Sequence, residues 1–283
     1  MTLLDLTLPT PAENLACDEV LLDMFEEGAG DGLLRFWEPT NYFVVVGYAN
    51  HVEKEVNVAA CEAEGIPILR RCSGGGTVLQ GPGCLNYSLV LKIEEHGPLA
   101  SITSANRFIM ERNREAVEAE VRGRKSEDGN QRAKGGIEIR GHTDLVLDCV
   151  RPGPAEQVLG APISRPSTIS TSLKFSGNAQ RRKKNFLLFH GTFLLNFDIA
   201  LIDRFLRMPS KEPDYRKGRA HTNFLTNLDL PAGAVKKSLE KAWNTRATGR
   251  RDAGGPRAEV VPHDAIALLA RDKYVTKEWN FKF

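Results

Sequence analysis

The chain predicts a mixed α/β fold, on three observations. Apolar residues at helical spacing alternate along it with short apolar, β-branched runs of strand length. Three consecutive glycines stand where one of those runs ends, a place suited to a tight turn that a ligand can approach closely. With 283 residues, the chain can bury one large core and carry a small appendage.

The elements follow in order. Residues from about 12 to 26 read as a helix, because Ala16, Val20 and Met24 recur at i+4 spacing. Apolar runs predict strands at 33–37, 42–48, 66–70 and 87–93, and a helix is expected over 104–121. Short strands at 137–140 and 144–147 come next, and the strongly apolar run 186–197 closes the sheet. Asp198 can cap a helix reaching residue 206. Beyond 227 the pattern turns helical: Val235, Leu239, Ala242 and Trp243 share one face, and 265–271 make a further short helix. The expected division is a principal domain, 1–227, and a short C-terminal helical segment, 228–283. Two stretches break the rhythm. Residues 122–131 are charged and glycine-bearing, and read as a solvated loop. Residues 149–173 hold Pro152, Pro154, Pro162 and Pro166 with little periodicity; a flap over a site and a disordered insertion are both open readings.

Most of the chemistry lies in the run Arg70-Arg71-Cys72-Ser73-Gly74-Gly75-Gly76-Thr77-Val78. Glycines permit positive φ, successive main-chain N–H groups in one concavity form an anion nest, and the arginines add fixed charge. Such a turn suits a carboxylate or a phosphate. Its spacing matches neither the P-loop nor the dinucleotide fingerprint. About a hundred residues on, Lys174-Phe175-Ser176-Gly177-Asn178-Ala179-Gln180-Arg181 sets one lysine before a small polar turn. An apolar strand interrupted by His190-Gly191-Thr192 follows. Lys174 offers a compact point charge to an anionic oxygen; taken alone, it reads as a solvated strand-end lysine.

Composition excludes more than it assigns. Lys+Arg of 38 against Asp+Glu of 36 leaves a net charge of +2, so no global field favours nucleic acid or a membrane surface. The basic runs at 181–184 and 211–219 therefore read as docking surfaces for an acidic partner, or as water-facing, before a nucleic-acid module. Five cysteines, at 17, 61, 72, 84 and 149, show no CxxC pair and no zinc spacing, which fits reduced thiols in a cytoplasmic setting. The N-terminus lacks a basic leader, and no apolar run approaches the ~18–20 residues of a membrane span.

Together the two glycine-bearing motifs resemble the lipoate–protein ligase branch of the biotin/lipoate ligase and octanoyltransferase superfamily. Further stretches agree: Pro11-Ala12-Glu13-Asn14-Leu15-Ala16-Cys17-Asp18-Glu19, Leu34-Arg35-Phe36-Trp37, Val45-Val46-Gly47-Tyr48, Asn86-Tyr87-Ser88-Leu89 and Asn106-Arg107-Phe108-Ile109. The likeness covers most of 1–227. It implies a largely antiparallel sheet flanked by helices, and an enzyme that uses ATP and Mg²⁺ to activate lipoate or octanoate as an acyl-adenylate. The acyl group would then pass to a lysine of an acidic lipoyl carrier domain or a glycine-cleavage H-like protein. Under that resemblance Lys174 is catalytic, Arg71, Ser73, Gly74, Gly75, Gly76 and Val78 bind the acyl substrate, and Gly177, Asn178 and Ala179 line the nucleotide pocket. Donors on both sides would hold the carboxylate against the α-phosphate and stabilise the charge that develops there. Val44 and Val46 are further candidates for the acyl trough, and core packing explains them equally well. His190 reads as a hydrogen-bonded structural histidine before a base.

One departure opens an alternative. After the glycines, ligases commonly carry a His-Asp-type pair and then Gly-Asn, whereas this chain reads Leu79-Gln80-Gly81-Pro82-Gly83-Cys84-Leu85-Asn86. Sibling octanoyltransferases need no ATP: a cysteine takes octanoate from acyl carrier protein as a thioester, close to the family lysine. No cysteine follows Lys174, so Cys149, 25 residues before it, is the candidate nucleophile of that reading. A nucleophilic thiol needs a depressed pKa, and without one Cys149 is an inert thiol. Cys72 and Cys84 read as packing residues. A third reading, a non-catalytic acyl or nucleotide binder, is opposed by the retention of Ser73, the glycines and Lys174.

Overall fold

The computed structural model describes residues 1–123, 134–152, 168–247 and 261–283. The chain begins with β1 (Thr2–Asp5), α1 (Pro11–Glu26), β2 (Gly32–Trp37) and β3 (Phe43–Val46). Two short helices, α2 (Val52–Glu55) and α3 (Val58–Ala63), lead to β4 (Ile68–Arg70), β5 (Val78–Gln80) and β6 (Cys84–Lys92). After α4 (Ile102–Gly123) come β7 (Lys134–Arg140), β8 (Asp144–Pro152), β9 (Thr168–Arg182) and β10 (Phe186–Leu194). The remainder holds α5 (Ala200–Phe205), α6 (His221–Phe224), α7 (Ala232–Ala242), β11 (Arg246–Ala247), α8 (His263–Leu269), a π turn (Ala270–Tyr274) and α9 (Lys277–Asn280).

Among the described residues, eight strands form one sheet in the order β11-β1-β2-β6-β10-β9-β8-β7. The β11–β1 and β1–β2 pairs are parallel, and every pair from β2 to β7 is antiparallel. A second sheet, β4-β3-β5, sits beside it. The expected mixed, largely antiparallel architecture is therefore present. Strand alternation sorts the core onto two faces. Leu34, Phe36, Leu85, Tyr87, Leu89, Leu187 and Phe189 pack beneath α4 and α7. Leu33, Val90, Phe186 and Leu188 point the other way, against α1. The first helix is set by its start: the Thr10 hydroxyl accepts from the Glu13 amide, the Glu13 carboxylate accepts from the Thr10 amide, and Pro11 opens the helix. No helix among the described residues is long and apolar enough to cross a membrane.

Two expectations need correction. The lysine motif is no turn: Lys174, Gly177, Asn178 and Ala179 lie inside β9, where β8 pairs Lys174 and Gly177 and β10 pairs Gly177, Asn178 and Ala179. The structural irregularity there is a bulge, since Leu145 opposes Ser176 while Val146 opposes Lys174, leaving Phe175 extra. The proline-bearing connection is also shorter than expected, because β8 runs to Pro152 and β9 starts at Thr168. Cys149 thus sits in a strand, opposite Thr171; its side chain lies outside the described residues, as do 153–167 and 124–133.

Residues past 227 share the main core. Leu228, Leu230, Val235, Leu239 and Trp243 join the cluster beneath the large sheet, and Ile266, Ala270 and Tyr274 join the cluster under α1.

Candidate functional site

A cleft of about 910 Å³ opens between the α1-side face of the large sheet and the small sheet. Its floor follows from strand register. Ser88 of β6 lies opposite His190 of β10, which lies opposite Ala179 of β9; in the next row Asn86, Thr192 and Gly177 align in the same way. Residues 75–80 line the wall across the cleft, and the β7–β8 turn (140–144) and residues 207–216 line the rim.

Lys174 reaches this cleft and is held there. Its Nζ lies 2.7 Å from Asp144 Oδ1, and the Tyr215 hydroxyl donates to Asp144 Oδ2 at 2.7 Å. The Lys174 carbonyl accepts from the Thr226 amide at 2.9 Å. Gly177 leaves the space for the side chain to fold back, because a Cβ there would stand 2.9 Å from Lys174 Cε and Nζ. Burial and the adjacent carboxylate push the Tyr215 phenol far up, so it remains a donor to Asp144.

The glycine turn closes the other side. Gly75 has φ of +90°, and its α-carbon lies so near β9 that a Cβ would be 3.4 Å from that of Ala179. Gly75, Gly76 and Val78 line the cleft. Arg71 lines it too, but its guanidinium braces the turn: Nε and Nη2 donate to the Gly74 carbonyl, Nη2 to that of Gly76 at 2.8 Å, and Nη1 to that of Val45 at 3.4 Å. Burial lowers its pKa to about 10, which leaves it charged at neutral pH. Ser73 is buried and faces His190, its Oγ sharing a 2.5 Å hydrogen bond with Nε2. Desolvation pushes the His190 imidazole down to about 4, with Asp18 opposing and Arg71 assisting, so it is neutral at pH 7.

Other expected residues take structural places. The Asn178 amide is committed on both ends, accepting from Tyr87 Oη at 2.7 Å and donating to the Thr143 carbonyl at 2.7 Å. Val44 and Val46 are fully buried in the cluster behind the small sheet, and alternation instead presents Val45 to the cleft. Gln80, where ligases commonly carry the polar pair, closes a triangle within the protein. Its Nε2 donates to Thr192 Oγ1 at 2.7 Å, Asn86 Nδ2 donates to its Oε1 at 3.0 Å, and Thr192 Oγ1 donates to Asn86 Oδ1. Sequence reasoning missed Asp144 and Tyr215. The polar turn Gly141-His142-Thr143-Asp144 after a strand was the available signal for the first; nothing local marks the second.

The four cysteines with described side chains behave alike. Burial pushes Cys61 and Cys72 up to about 11 and Cys17 and Cys84 up to about 12, so all four stay protonated at neutral pH.

Comparison with known proteins places this geometry. The family described as lipoyl protein ligase A/B catalytic domain matches residues 10–239. The octanoyltransferase LipM of Geobacillus kaustophilus (strain HTA426) is 28% identical over 292 residues, covering 96% of this chain and 94% of that protein. The octanoyltransferase LipM of Bacillus subtilis (strain 168) is 28% identical over 300 residues, with 96% and 95% covered. Among solved structures, a bipartite lipoate protein ligase from Thermoplasma acidophilum superposes with a TM-score of 0.69 at 22% identity, covering 99% of this chain and 95% of that one. A lipoate-protein ligase A bound with ATP superposes at 0.65 and 24%, with 99% and 98% covered. These structural likenesses carry the fold, and the family match spans most of the sequence. The chain belongs to the lipoyl protein ligase A/B catalytic domain family.

Proposed function

We propose that this protein is an ATP-independent octanoyltransferase, moving an octanoyl group from acyl carrier protein to a lysine of a lipoyl carrier domain. The likeness to the LipM octanoyltransferases, matched over nearly their whole length, carries the reading. Cys149 is the nucleophile that the resemblance assigns to this reading, and the four cysteines with described side chains are buried thiols.

The Cys149 sulfur gives up its proton and attacks the thioester carbonyl, the bond to the carrier sulfur breaks, and the carrier leaves as a thiol on taking up that proton. The acceptor's ε-amine then attacks acyl-Cys149, forming an amide and returning the thiol. Negative charge builds on the carbonyl oxygen in both steps, and the Lys174 ammonium, fixed by Asp144, supplies a donor for it. Leu15, Trp37, Val45 and Val78 offer an apolar wall for the chain.

The first expectation, ATP-dependent ligation, is less well served. The groups expected to serve activation with ATP are engaged within the protein: Arg71 of the acyl-binding set is bonded to loop carbonyls, the Asn178 amide of the nucleotide set is committed, and Lys174 pairs with Asp144.

The test offers apo lipoyl domain with either octanoyl-acyl carrier protein alone or lipoate plus MgATP, and weighs the products by mass spectrometry. An ATP-free thioester adduct, lost in Cys149→Ser, is expected. Lys174→Ala should abolish transfer while its circular dichroism matches wild type. Pyrophosphate release that depends on lipoate would overturn the reading.

A further inference from the structure

Residues 261–283 lie beyond the matched family region, yet hydrogen bonds through Arg70 and Glu19 connect them to both ends of the glycine turn. One connection runs through Arg70. Its side chain is fully buried and its partners are main-chain carbonyls: Nη1 donates to Gly47 at 2.8 Å, Tyr48 at 3.0 Å and Asn50 at 2.8 Å, while Nε reaches Trp279 at 3.1 Å and Nη2 reaches Asn280 at 3.0 Å. The strand is gripped as well. The Arg70 amide donates to Asn280 Oδ1 at 2.8 Å, and Trp279 Nε1 donates to the Arg70 carbonyl at 2.8 Å. The 47–50 segment that Arg70 gathers then holds the glycine turn. The Tyr48 amide donates to the Ser73 carbonyl at 2.9 Å, Asn50 Nδ2 to Thr77 Oγ1 at 3.4 Å, and a Cβ on Gly47 would fall on the Gly75 carbonyl.

The second connection runs through Glu19, a buried carboxylate of α1. It receives Lys273 Nζ at 2.6 Å, the Tyr274 hydroxyl at 2.8 Å and Arg181 Nη1 at 3.2 Å. Arg181 in turn donates to the Cys72 carbonyl at 3.0 Å. The turn is thus tied at Cys72 by one route and at Ser73 and Thr77 by the other, and both routes end in the C-terminal segment.

We propose that the C-terminal segment is a strap belonging to the acyl-transfer site, with Arg70 and Glu19 as positioning residues that fix residues 72–77 against β9. This rests on the acyl-transfer reading above. An arginine serves at position 70 because only a planar fork can satisfy five carbonyls from two segments at once. Loosening the turn shifts the wall that closes the cleft opposite Lys174, where charge develops in the transition state, while Leu15, Trp37 and Val45 keep the apolar wall for the acyl chain. The rate constant should therefore fall more than the affinity.

Two variants test it, Asn280→Ala and a chain ending at Thr276, each read by amide hydrogen exchange and by octanoyl transfer to apo lipoyl domain. Exchange over residues 72–77 should accelerate while that of α4 stays at the wild-type rate. Turnover should fall by about 100-fold with KM for octanoyl-acyl carrier protein unchanged. Arg70→Lys, which keeps the charge and loses the fork, should reproduce both effects. Wild-type exchange in the turn together with wild-type turnover in Asn280→Ala would overturn the strap, as would acceleration across the whole chain. Should the wild type transfer no acyl group, the function proposed above fails, and the exchange measurement still decides whether the strap holds the turn.

Discussion

His190 shows how one side chain is set by its surroundings. In the folded protein its imidazole takes a proton only near pH 4, against 6.5 for an unperturbed histidine. Between those values the unfolded chain binds a proton that the folded chain refuses. Stability is therefore full above pH 6.5 and falls as the pH drops toward 4, by at most about 3 kcal/mol from this group. Urea midpoints for wild type and His190→Gln, compared from pH 7 to 4.5, check this: glutamine can keep a bond to Ser73, so the variant should lose that part of the pH dependence. The bonded, structural character of His190 was legible in its apolar flanks. The same flanks could not say that Ser73 would be its partner, because the two are joined only when β10 passes beneath the glycine turn. Arg71 teaches a related lesson. Its charge beside three glycines pointed to an anion, and folding instead turned the fork onto the carbonyls of its own loop.

Among elements, α1 is the scaffold on which the site depends. It carries Asp18, which meets the fully buried Arg35 of β2 at 2.7 Å, with Asn14 supplying two further acceptors to the same guanidinium. Removing the carboxylate strands a cation inside the protein, so Asp18→Asn should cost about 3 kcal/mol, measured as a shift in the urea midpoint. Helices α1 and α4 could be read from periodicity nearly to their ends, as could β2 and β6. Strand β9 could not. Ser176, Gly177, Asn178 and Ala179 have low strand propensity and look like a turn, yet pairing with β10 throughout, and with β8 at Ser176 and Gly177, holds them extended. Their small size is what the site needs: Gly177 clears Lys174, and Ala179 lets Gly75 approach.

At the scale of the molecule, residues past 227 are part of the core. Leu239 of α7 is fully buried with α4 and the large sheet, and Trp243 Nε1 donates to Asn113 Oδ1 at 2.8 Å. Leu239→Ala should therefore cost about 3 kcal/mol and lower the midpoint of a single unfolding transition, whereas a separate appendage would melt alone and leave the main transition in place. By itself the sequence determined the α/β class, the order of the principal elements, the family, and the two motifs that meet at the cleft. Those properties are written in local periodicity and in residue types that suit a turn or a strand end. Only the tertiary structure decided that Asp144 and Tyr215 hold Lys174, that Arg71 and Asn178 bond to groups of the protein itself, and that the C-terminal segment connects to the glycine turn. Each of these joins residues far apart in the chain, and such contacts exist only once the sheets and helices have packed.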